Sequence, residues 1–195
     1  MAAKPKKEEK QKRRSPISRA EGELRLINAA RELIKSRPFS EVGVREIAEL
    51  ADVNHGFVHT WFGSKNDLML AVMRAIALEF AESVGQAAPG QFISVITDSE
   101  VQLFIRLVLW LNLEGVNTRS ALPELPIVKA IEKRYVEIDG MRPDVANMAA
   151  LYAAAVGIGA ATFAPLIAGE EGLDIGELFG LMAHINKLLT QHPPA

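Results

Sequence analysis

The chain has 195 residues, of which 49% are hydrophobic, a formal net charge of −2 and no cysteine. That length buries a sizeable core without cross-links, and the missing thiol excludes a disulfide framework, a cysteine nucleophile, a thiol redox switch and cysteine-ligated zinc. Charge is unevenly spread: residues through Lys65 carry 14 Lys and Arg against 9 Asp and Glu, and the remainder 8 against 15, so a front of +5 is joined to a back of −7.

A polyanion would be attracted to the front and repelled by the back. Seven of the front's basic residues lie between Lys4 and Arg14, a run that equally describes a solvated tail. Residues 1–18 are therefore set apart as a basic arm. The stretch Met1–Ser15 has no apolar region of the kind a secretory signal requires, so a cytoplasmic protein is expected.

Beyond the arm, Leu26, Ile27, Ala30, Leu33 and Ile34 recur at three- and four-residue spacing and predict a first helix near residues 19 to 36. Pro38 closes it by disfavouring helical geometry at Arg37. A second helix is expected from Val44 to Ala51, with Gly43 as N-cap and Glu46 at the capping-box position. Asp52-Val53-Asn54 interrupts the pattern, and Asn54 is the expected N-cap of a short third helix, His55 to Trp61. Ser64 with Asp67 opens a fourth, whose apolar face runs from Leu68 to Phe80 and which ends before Pro89-Gly90. Four more helices are expected over about 99–114, 125–139, 143–168 and 174–190. Ile93–Thr97 is β-branched, but one strand has nothing to pair with. The uncharged run Met148–Ala168 is long enough for a membrane span; its alanine and glycine content and lack of basic flanks instead favour a buried helix.

Two short helices joined by a tight turn let the second enter the major groove while the first crosses the phosphate backbone. Around that turn stand Ile47-Ala48, Val53, Gly56, Trp61-Phe62, Ser64-Lys65 and Leu68. In this spacing, from about Arg25 to Leu70, the chain resembles the tetracycline-repressor (TetR) family of transcriptional regulators. It departs at Asp52, where a glycine is usual, at Gly43 for a serine or threonine, at His59 for a tyrosine, and at Phe57 for a small hydroxyl residue. Asp52 adopts left-handed backbone more readily than most non-glycine residues, so the turn is feasible.

Val53, Val58 and Phe62 are expected to lock the third helix inward. That leaves Asn54, His55, Phe57, His59 and Thr60 as candidates for bases or phosphates, with Phe57 against a thymine methyl, and Trp61 placed with them. Lys65 at the start of the fourth helix makes an anion site for a phosphate. Arg45 on the crossing helix is a second positioning candidate, and Arg13 and Arg14 could reach a neighbouring groove. His55 and His59 have the spacing of a zinc pair, but no third ligand is nearby and no metal or cofactor is expected.

The expected fold is all-α: a three-helix reading domain over 19–65 and a helical effector-binding and dimerisation domain over 66–195. Phe104, Leu107, Trp110, Leu111, Met148, Tyr152 and Phe163 are the pocket candidates, with Arg106, Asn112 and Tyr152 as polar groups that could orient a ligand; apolar stripes at helical spacing equally describe ordinary core. The resemblance implies a homodimer through the last two helices, a pseudo-palindromic double-stranded DNA operator, and repression relieved by a small molecule through a shift of the fourth helix. The rival reading is a helical small-molecule binder or enzyme that keeps the front as a scaffold. It has no catalytic motif to support it, so no enzyme is expected.

Overall fold

A computed structural model describes residues 17–87, 98–167 and 175–191. Among them are eight α-helices: α1 (Arg19–Ser36), α2 (Val44–Leu50), α3 (Gly56–Trp61), α4 (Lys65–Gln86), α5 (Ser99–Leu113), α6 (Pro126–Glu137), α7 (Pro143–Ile167) and α8 (Ile175–Gln191), with a 3₁₀ turn at Thr118–Ser120. The fold is all-α, and each expected helix is present to within two residues at either end. Arg13, Arg14 and the Ile93–Thr97 segment lie outside the described residues. No helix among the described residues is long and apolar enough to cross a membrane.

Local chemistry fixes the helix starts. Ser18 accepts from the Glu21 amide at 3.2 Å to cap α1, and Ser64 accepts from the Asp67 amide at 3.1 Å to cap α4. Arg37, ahead of Pro38, is extended (φ −130, ψ 150) and ends α1. Glu46 does not return to the uncapped N-terminus of α2 as a capping box. It pairs instead with Arg37 across the α1–α2 loop.

Two apolar cores share α4. Leu26, Ala30 and Ile34 of α1, Ile47 and Ala48 of α2, Val58 of α3, Leu68, Val72 and Ile76 of α4, and Leu107 and Leu111 of α5 form the first. Val84 at the end of α4 joins Val128, Ile131 and Tyr135 of α6 and Val145, Ala149 and Ala153 of α7 in the second. Phe80 packs against both. The front core therefore extends past residue 65 into α5, so the reading helices rest directly on the helical domain behind them.

An ion-pair clasp ties α1, α4 and α5 from outside. Arg31 of α1 donates to both carboxylate oxygens of Glu79 on α4 (2.9 and 2.7 Å) and to Glu100 on α5 (2.8 Å). Lys35 adds a second contact to Glu100 at 2.8 Å.

Of the seven residues expected to line a pocket, three do so at two separate places: Met148 and Tyr152 edge an open groove between α7 and α8, and Phe104 lies elsewhere. Phe104 faces a cavity between α4, α5, α6 and α7. Leu107 and Leu111 are fully buried in the front core, and Trp110 packs on Phe39 of the α1–α2 loop. Met148, Tyr152 and Phe163 are exposed on α7, at 67%, 46% and 53%. The polar candidates are also engaged or placed elsewhere: Arg106 lies over the Phe39 ring at 5.5 Å, and Asn112 accepts from Thr118 at 3.0 Å.

Burial alone would raise the Glu100 carboxyl, but hydrogen bonds from Lys35 and Arg31 outweigh it and hold the group below the usual carboxylate range. A carboxylate lowered on folding adds stability that is complete above its unfolded pKa, about 4.3, and lost as pH falls through the lower folded value. Glu100→Gln is therefore expected to melt below the parent protein at pH 7. The gap in Tm should close as thermal unfolding is followed below about pH 4; a gap independent of pH would show that the clasp is not the source.

Candidate nucleic-acid interface

The turn between α2 and α3 is set by backbone bonds around one left-handed residue. Asp52 has φ +53. Its amide donates to the Glu49 carbonyl at 3.1 Å and the Val53 amide reaches back to Ala48 at 2.9 Å, the paired bonds of a Schellman stop. Ala48 and Val53, the residues that this motif brings into contact, are both buried. The aspartate thus fills the glycine position of the turn as expected, and the angle between the two helices follows from it.

Asn54 prepares α3 one residue earlier than a simple N-cap would. Its Oδ1 accepts from the Gly56 amide at 2.8 Å, and its carbonyl accepts from Phe57 at 3.0 Å; His55, itself helical (φ −59, ψ −25), occupies the cap position. Val58 has no exposed surface and Val53 is buried, while Phe62 is partly buried against the same core. Asn54, His55, Phe57, His59 and Thr60 are all exposed, so all five candidates are open to solvent on and just before α3.

Several of their atoms are already engaged. Thr60 Oγ1 donates to the Gly56 carbonyl at 3.1 Å, leaving its lone pairs outward. His59 Nδ1 lies 3.2 Å from the Gly63 carbonyl. A carbonyl only accepts, so Nδ1 carries the proton and Nε2 is the atom left for a partner. Phe57 stacks on Trp61 with ring centroids 4.3 Å apart and planes 2° from parallel. The pair presents one exposed ring backed by a half-buried one.

Two candidates have different surroundings from those expected. Trp61 is a wedge between α3 and α1: a Cβ on Gly22 would lie 2.5 Å from its ring, and its carbonyl accepts from Arg19 at 3.5 Å. Lys65 turns inward. Its ammonium donates to the Phe39 carbonyl at 2.6 Å and lies 5.9 Å from the Trp110 ring centroid. Burial lowers its pKa, with the nearby Glu114 charge opposing. Arg45, by contrast, is exposed on α2 with no ion-pair partner among the described residues.

Gly22, Phe39 and Arg31 carry structural weight that the sequence reading did not assign. A glycine inside a helix costs about 1 kcal/mol relative to alanine, and its presence in α1 is the signal that something approaches closely. For Phe39 and Arg31 the partners are distant in sequence, and no local pattern announces them.

Residues 26–72 match the profile described as "Bacterial regulatory proteins, tetR family". This segment, α2 and α3 with their flanks, is therefore similar to the helix-turn-helix of the tetR family. A curated relative, the HTH-type transcriptional repressor Rv3405c of Mycobacterium tuberculosis, is 26% identical over 168 residues, 84% of each chain. Among solved structures, the TetR family repressor AlkX from a Dietzia strain, implicated in n-alkane biodegradation, superposes with a TM-score of 0.57 at 21% identity, over 87% of this chain and 96% of that one. The multidrug binding protein EbrR, complexed with imidazole, does so with a TM-score of 0.57 at 18% identity, over 93% and 97%. The profile and the full-length relatives together support a transcriptional regulator with a DNA-binding helix-turn-helix.

Two substitutions test how the regulator's reading helix is held. Asp52→Val places a β-branched residue at positive φ and is expected to cost about 1–3 kcal/mol in a denaturant titration. Gly22→Ala improves the propensity of α1 but forces the Trp61 ring to move. Its expected signature is a change in Trp fluorescence and weaker binding to specific DNA without a matching loss of stability.

Proposed function

We propose that the protein is a dimeric repressor that reads a pseudo-palindromic operator with α3 and leaves it when a small molecule occupies the helical domain. The observation that carries this reading is Phe80. One helix, α4, holds the reading helices through Leu68, Val72 and Ile76, and presents Phe80 to the cavity behind them. A ligand that prefers one setting of α4 then biases DNA binding by the same coupling energy. Rv3405c is named a repressor and EbrR a multidrug binding protein, which supports both halves of the proposal.

On this reading the unit over 19–65 docks on DNA, and the basic arm of residues 1–18, with Arg13 and Arg14, adds phosphate contacts. Asn54, His55, Phe57, His59 and Thr60 meet the groove, Trp61 backs Phe57, and Arg45 contacts phosphate. Lys65 acts mainly by fixing the start of α4 to the α1–α2 loop. The rest of the chain, 66–195, senses and dimerises. Met148, Leu151, Tyr152 and Ile158 of α7 with Leu181 and Leu188 of α8 expose large apolar side chains, a surface suited to a second copy. Two-fold pairing would set half-sites about one helical turn apart.

The test is binding of the purified full chain to DNA from its own upstream region and to scrambled DNA across a salt series. Selective binding that weakens with salt is expected. Arg45→Ala should weaken both DNAs by similar factors and lower the salt slope by about 1. Equal, weak binding to every genomic fragment would overturn the proposal.

A further inference from the structure

We propose that the cavity between α4, α5, α6 and α7 takes a small uncharged hydrocarbon of about benzene's size. The inference rests on the sensing role above and names the chemistry sensed. The cavity measures about 140 Å³, and an apolar cavity of roughly 150 Å³ stays dry and accepts benzene. Phe80 closes it from α4, Phe104 and Ile105 from α5, Ile131 from α6, and Ala153 and Gly157 from α7. None of its fourteen lining residues has a side chain that can donate or accept a hydrogen bond. A charged or strongly polar guest would lose its water and gain no partner there, so the site selects by excluding such groups.

Two further observations point to an occupant. The α7 wall is Ala153, Ala154, Gly157 and Ile158, three of them small, and a Cβ placed on buried Gly157 meets nothing within 4 Å. The space beside it is therefore unfilled in an otherwise close-packed helix pair. On the opposite side the wall includes Leu125, a leucine in left-handed backbone (φ 47, ψ 62) at the start of α6. Leucine disfavours this region, and the following Pro126 removes the usual relief of continuing as helix. Strain of this kind is concentrated at ligand clamps and switch regions. The first turn of α6 has no side-chain cap, so the competing guest is a carboxylate held by its amides.

The experiment compares toluene, phenol and benzoate on the full-length protein. Thermal unfolding reads binding without reference to DNA, and release from the operator is followed separately. Toluene should raise Tm by about 5 °C or more near a hundred times its Kd, phenol less, and benzoate not at all. Toluene's methyl should show intermolecular NOEs to the methyls of Ala153 and Ile131. Gly157→Leu, which improves helix propensity while filling the space, should keep the circular dichroism spectrum and lose the toluene shift. Benzoate binding better than toluene, no hydrocarbon binding, or NOEs confined to other methyls would overturn the inference. Toluene binding in the cavity without operator release would uphold the ligand class and defeat the sensing role. Release by a charged molecule with no hydrocarbon binding would do the reverse.

Discussion

Apolar burial along α4 is the constraint on which everything else depends. Seven of its side chains are buried, and they divide between a core that holds α1, α2 and α3 and one that holds α6 and α7. Neither half can shift relative to this helix without exposing part of a core, at roughly 25 cal/mol for each Å² of apolar surface returned to water. The Arg31 clasp adds orientation more than energy: it ties α1, α4 and α5 at one level, and its exposed side is open to solvent screening.

A second connection runs along α5. Phe104 faces the cavity and Trp110 meets Phe39 in the loop between α1 and α2; six residues of helix separate them by about 9 Å. Lys65 joins the same junction by bonding to the Phe39 carbonyl. A change in the cavity wall thus has two rigid routes to the reading helices, one through the axis of α4 and one through the end of α5. The second route meets the loop that precedes α2, so it bears on how α2 itself sits.

How much was legible in the sequence follows from how local each determinant is. Ser18, Ser64 and Pro38 act within a few residues of themselves, and the helix boundaries they set could be read directly. The outward face of α3 was legible because burial of Val53 and Val58 leaves the intervening positions exposed on a short helix. The lining of the cavity was not, because Leu107, Leu111 and Phe104 share one apolar stripe on α5 and only tertiary neighbours decide which meets empty space. Met148, Tyr152 and Phe163 stand apart from that cavity for a related reason: an apolar side chain on a small-residue helix reads the same whether it faces the interior or the surface. Lys65 sits in the motif where a phosphate contact is expected, yet its stem is long enough to turn back on Phe39.

Among the described residues no charged side chain is buried, and the buried side chains are apolar apart from the hydroxyl of Tyr135. The interior depends little on side-chain hydrogen bonds, and apolar exchanges that keep volume are tolerated at small cost. Such an interior leaves sequences free to drift while the helices stay in place. That freedom accounts for relatives at 26% identity, and folds matched at 18%, along nearly the whole chain. The turn is the opposite case, because there the backbone conformation limits the residue whatever the packing around it.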